Sequence, residues 1–220
     1  MMYKIFRRLK KYLMAWILIC ASGSFLNIQA NAATPQLQGY VMQVQMTPAI
    51  CALDVSKQKQ RQCLEGYSLT ITGLLPEINR NECTTNTSAT LSPIQAKVVA
   101  RVMPDESARI QLWRSIGGCI PMNSSQYFRM VINLAEKLKI PTDLTSSENK
   151  SVKHSALKAQ FLKLNPSMSG NSLRFSCQNS KSNPVLTEIQ VCYTVNGQYK
   201  QCSSHIVSNC PSSFLIKGTY

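Results

Sequence analysis

The sequence predicts an α+β fold: one exported domain stapled by four disulfides. Three observations lead there. Segments with a period of two are mixed with segments of helical period, without regular βα alternation. An even number of cysteines follows a cleavable leader. The 220 residues are 44% hydrophobic, enough for one substantial core.

The leader comes first. Lys4, Arg7, Arg8, Lys10 and Lys11 make a basic start, Tyr12 to Leu26 an apolar stretch, and Ala30-Asn31-Ala32 a small-x-small cleavage pattern. Residues 1–32 are therefore expected to be a signal peptide, leaving 33–220 as a single domain. The apolar stretch is short and ends in polar residues, so no stable membrane anchor is expected after cleavage. Cys20 leaves with it, because Ile19 stands where a lipoprotein signal needs a small residue. The expected location is periplasmic or secreted, in a bacterium.

Cleavage leaves eight of the nine cysteines: Cys51, Cys63, Cys83, Cys119, Cys177, Cys192, Cys202 and Cys210. In an oxidising compartment an even set reads as disulfides. Metal binding would call for close pairs, and the chain has no CxxC. No metal or cofactor is expected. Net charge falls from +14 to about +9 on cleavage. Such charge suits RNA, another polyanion or an anionic cell envelope, and equally a surface that is merely soluble.

Met42, Val44 and Met46 alternate with Gln43 and Gln45, which predicts a strand over 40–46, ended by Thr47-Pro48. A second strand is expected over 67–74, with Leu69 and Ile71 opposite Thr70 and Thr72. Ser92-Pro93 opens a helix to about Met103. A stronger helix runs from Ser125 to Leu138, with Phe128, Val131, Leu134, Ala135 and Leu138 on one stripe and Pro141 beyond. Leu157, Phe161 and Leu164 mark a third over 151–164. Strand-like runs return at 173–177, 186–194 and 213–217.

Two segments carry a family resemblance. Thr72-Gly73-Leu74-Leu75-Pro76 resembles the His-Gly-Leu-Trp-Pro segment of the ribonuclease T(2) family. Arg109 to Cys119 resembles its second segment, roughly Glu-Trp-Glu-Lys-His-Gly-Thr-Cys, with Trp113, Gly117 and Cys119 matching. Thr47 to Cys51 and Leu186 to Cys192 extend the likeness over essentially all of residues 38–220. The resemblance implies the ribonuclease T(2)-like fold, a central antiparallel sheet with flanking helices. It also implies the pairing Cys51–Cys63, Cys83–Cys119, Cys177–Cys210 and Cys192–Cys202, which spacing alone does not choose.

The departures fall on the chemistry. The family cleaves RNA by attack of the ribose 2′-OH on the adjacent phosphate, with histidines as base and acid and with charged neighbours stabilising the transition state. Thr72 and Ile116 stand where the resemblance puts the two histidines, Arg114 where it puts an acidic residue and Ser115 where it puts lysine. Neither Thr72 nor Ile116 exchanges protons near neutral pH, and Arg114 is too basic to serve as an acid. Only His154 and His205 remain, outside both segments. No conventional catalytic residue is expected.

Arg101, Arg109 and Arg114 are candidate phosphate ligands if they border the old cleft, against the alternative of a solvated basic surface. Trp113, the one tryptophan after the leader, is expected in the core rather than as a stacking platform. The leading expectation is a monomeric pseudoenzyme that binds RNA, another polyanion or a protein. The alternatives are an active divergent endoribonuclease working through a 2′,3′-cyclic phosphate, and a disulfide-rigid envelope interaction protein.

Overall fold

Alternation along Gly39–Met46 (β1) decides which way the sheet faces. Tyr40, Met42, Val44 and Met46 are buried, while Gln43 and Gln45 are half-buried on the other face. The computed structural model describes residues 36–79, 82–180 and 183–219. The expected signal peptide lies outside them. The remaining strands are β2 (Leu69–Glu77), β3 (Lys150–Lys153), β4 (Leu173–Asn179), β5 (Pro184–Tyr193) and β6 (Ser213–Ile216).

They order as β2-β1-β5-β6-β3, with β4 also on β5. Every pairing is antiparallel except the single parallel contact of β5 with β6 at Val185 and Leu215. The fold is thus α+β with a central, mainly antiparallel sheet.

The helices are α1 (Thr47–Leu53), α2 (Arg61–Leu64), α3 (Pro93–Ala100), α4 (Glu106–Ile116), α5 (Ser124–Lys137) and α6 (His154–Leu164). α5 begins with a capping box: Asn123 accepts from the Gln126 amide, and the Gln126 side chain accepts in return from the Asn123 N–H. Its Phe128, Val131 and Leu134 join Leu157 and Phe161 of α6 in the core that β1 and β5 face. On the sheet's other face Val41, Cys192 and Cys202 form a small second cluster with Ile206.

Several boundaries differ from expectation. β2 runs on through Pro76 to Glu77, because its proline lies on an edge strand where a missing N–H is tolerated. The helix expected from residue 151 starts at His154; Lys150–Lys153 instead pairs with β6. The helix from Pro93 ends at Ala100, and α4, which the sequence reading did not assign, follows it.

The four disulfides are Cys51–Cys63, Cys83–Cys119, Cys177–Cys210 and Cys192–Cys202, the pairing that the resemblance implied.

Candidate functional site

Thr72 is the extra residue of a β-bulge. Gln43 pairs with Gly73 and Val44 with Ile71, so Thr72 has no partner on β1 and its side chain is exposed. Bulges bend a strand and re-aim one side chain, and they recur beside active sites. The edge of β2 is closed by two contacts rather than by another strand. The Ile71 N–H donates to the Val102 carbonyl, and the Tyr127 hydroxyl accepts from the Leu74 N–H at 3.1 Å while donating to the Leu74 carbonyl at 3.2 Å. Tyr127 is fully buried, which pushes its phenol well above the ordinary value.

α4 supplies the other wall. Asp105 caps it, accepting from the Ala108 N–H at 3.0 Å. Ala108, Leu112 and Ile116 recur at helical spacing on one face. Leu112 lies against the bulge so closely that a side chain at Gly73 would meet its methyl at 3.2 Å. Ile116 is 8% exposed and belongs to the core. The cleft between these walls has a volume of about 160 Å³; its polar lining includes Gln45, Lys57, Gln60, Gln62, Thr72 and Asp105.

The Cys83–Cys119 bridge holds the end of α4. A Cβ at Gly117 would lie 2.5 Å from Thr85 and 2.9 Å from Trp113, and one at Gly118 would lie 2.5 Å from the Thr84 carbonyl. This close approach explains why glycine stands at both places. Trp113 is 2% exposed, 5.7 Å from the Tyr127 ring, and donates from Nε1 to Thr87 Oγ1 at 3.1 Å. It is a core residue.

The three candidate arginines do not gather in this cleft. Arg101 is exposed at the end of α3. Arg109 is only 5% exposed and donates to the Met103 carbonyl; burial lowers its pKa, with Glu106 and Asp105 acting in the opposite direction. Arg109 and Arg114 line a different hollow, on another face of α4. Ser115 is exposed and donates to the Leu112 carbonyl at 2.7 Å.

Nor do the histidines reach the cleft. His154 opens α6, half-buried, edge-on to Phe175 at 5.1 Å and with Nε2 3.4 Å from Ser208 Oγ. Burial, then the charge of Lys158, lower its pKa. His205 is exposed and borders a separate hollow with Gln43, Glu77 and Gln190.

Sequence reasoning passed over Leu112. Once Trp113 is set against the tryptophan of the resembled pattern, the preceding Leu112 falls opposite its first glutamate, on the same helix face as Ile116. The burial of Arg109 had its own signal, since Arg109, Trp113 and Ile116 fall at i, i+4 and i+7.

A bulged edge strand, a capped helix beside it and four staples define a disulfide-rigid α+β domain. The Ribonuclease T2 family model matches residues 38–202, and the chain belongs to that family. Solved structures agree on the fold. Ribonuclease MC1 from the seeds of bitter gourd is 16% identical, with a TM-score of 0.62 over 80% of this chain and 98% of that one. The SF11-RNase of Nicotiana alata, associated with self-incompatibility, is 15% identical, with a TM-score of 0.59 over 80% and 96%. Japanese pear S3-RNase is 15% identical, with a TM-score of 0.58 over 83% and 100%. No curated protein is found to match the sequence.

Proposed function

We propose that this is an exported ribonuclease T2-family protein that binds RNA or another polyanion without the family's 2′,3′-cyclising proton transfers. The burial of Ile116 carries the reading. Where the family pattern has a histidine, this chain has a core side chain that neither donates nor accepts a proton, on a helix face that Leu112 and Ala108 keep apolar. Thr72 keeps the exposed bulge position but not the imidazole. The leader-like start and four disulfides support export to an oxidising compartment. Lys57 in the cleft and the net basic charge support a polyanionic partner. Ribonuclease MC1 variants occur in complex with 5′-UMP and 5′-GMP, which favours a nucleotide-bearing partner here.

The test is incubation of the mature protein with polyuridylate. The expected result is RNA binding that weakens steeply with salt and no cyclic phosphate ends. Cleavage abolished by His205→Ala or His154→Ala would instead establish an active divergent ribonuclease. One observation favours His205 over His154 in that second reading: it shares its hollow with Gln43, whose β2 partner Gly73 adjoins Thr72. Neither binding nor cleavage would leave the rigid interaction scaffold.

A further inference from the structure

The hollow on the other face of α4 has the makings of an anion site. It encloses about 240 Å³ between α4 and the 86–91 segment, with Arg109, Arg114, Thr87, Ser88, Thr90 and Glu106 among its lining residues. A guanidinium has five N–H donors. Arg109 spends one on the Met103 carbonyl, and among the described residues no side-chain hydrogen bond engages the Arg114 guanidinium. Among the described residues neither guanidinium has a carboxylate within 4.0 Å, the ion pairs being Arg61–Glu65, Lys150–Asp143 and Lys200–Glu77. Arg109 is buried and charged, with Glu106 and Asp105 near it but neither in an ion pair with it, and an incoming anion adds to that partial compensation.

The walls are built before any ligand arrives. The Thr85 N–H donates to the Arg114 carbonyl at 2.8 Å, Trp113 Nε1 to Thr87 Oγ1 at 3.1 Å, and Ser124 Oγ to the Ser88 carbonyl at 2.8 Å. These contacts fix the segment to α4 and α5, so binding orders little that is not already ordered. Two arginines and three hydroxyl-bearing residues lining one hollow suit a tetrahedral oxyanion with both charge and acceptor oxygens.

We propose that Arg109 and Arg114, with the 86–91 segment, form a phosphate-binding site distinct from the cleft at Thr72. It takes a phosphate group of RNA, either a 5′-terminal monoester or a backbone diester. This goes beyond the reading of the cleft and stands or falls separately from it.

Trp113 is the sole tryptophan after residue 32 and its indole is bonded to Thr87, so its fluorescence reports on the hollow. Titrations of the mature protein with inorganic phosphate, with oligouridylate and with 5′-phosphorylated oligouridylate supply the probes. Arg114 and Glu106 are both exposed, so Arg114→Gln and Glu106→Gln leave the core untouched. Arg114→Gln is expected to weaken binding about tenfold, by loss of charge-assisted hydrogen bonds. Glu106→Gln is expected to tighten it, and Arg114→Lys to fall between wild type and Arg114→Gln. A gain from the 5′-phosphate assigns a terminal monoester; equal binding of the two oligonucleotides assigns the backbone. Unchanged affinity in Arg114→Gln, or a response to Lys57→Gln in the cleft instead, overturns the site while leaving the polyuridylate result intact.

Discussion

Two hollows flank α4, and their chemistry differs. On the β2 side Ala108 borders a cleft lined by glutamines, threonines and one lysine, and Leu112 packs against Gly73 of the bulge. On the side of residues 86–91, Arg109 and Arg114 bring two guanidinium groups to a hydroxyl-rich pocket. One helix thus separates the cleft at Thr72 from a place fitted to hold phosphate. Charge and proton exchange are separable properties of a fold, because binding tolerates a fixed charge while acid–base work needs a group that titrates near the working pH.

The largest effect on this contrast is expected from opening the bridge that ends α4. Cys83→Ser with Cys119→Ser frees a 36-residue separation, worth about 4 kcal/mol in the chain-entropy model. It also releases the segment leading into the basic hollow. Denaturant unfolding should show that loss, and phosphate titration a weaker site; unaltered stability would mean that the segment is held by its hydrogen bonds alone.

Next in size is Tyr127→Phe, which removes only the hydroxyl that closes the edge of β2 at Leu74. It leaves the Leu74 N–H and carbonyl without their buried partner and is expected to cost about 1–3 kcal/mol. Phosphate affinity should stay unchanged.

The smallest effect concerns His154, which lines neither hollow. Its folded pKa lies below the ordinary value of 6.5, so the unfolded chain binds the proton more readily. The contribution of the neutral ring is present above pH 6.5 and is lost as pH falls from there through the folded value. His154→Phe should flatten that part of the stability profile, while a profile as steep as the wild type's would assign the slope to other groups.

Much of this was legible in the sequence, for physical reasons that vary by element. The period of two in β1 and the stripe of α5 survive because each element sets one face against the core. α4 was harder to see, since Arg109 and Arg114 dilute its apolar stripe and only Trp113 and Ile116 stand out. β3 has four residues with a single buried one, Val152, too few to show a period. The bulge at Thr72 depends on register against β1, a non-local property that no local pattern encodes. For the same reason the arginines were expected at the cleft: residue type announces affinity for phosphate, but only the helix turn decides which hollow receives it.

Thr72 and Ile116, which the proposed reading sets at the family's two histidine positions, differ in burial. Thr72 stands at an unpaired, exposed bulge position, where one side chain replaces another at little energetic cost. Ile116 is fastened into the core, and a polar ring there disturbs packing before it performs any chemistry. On the proposed reading, building acid–base catalysis at these two positions, by selection or by design, is therefore gated by the interior of the protein. The order of changes follows from that: the packing around α4 must be reshaped first, and the exposed strand position filled last.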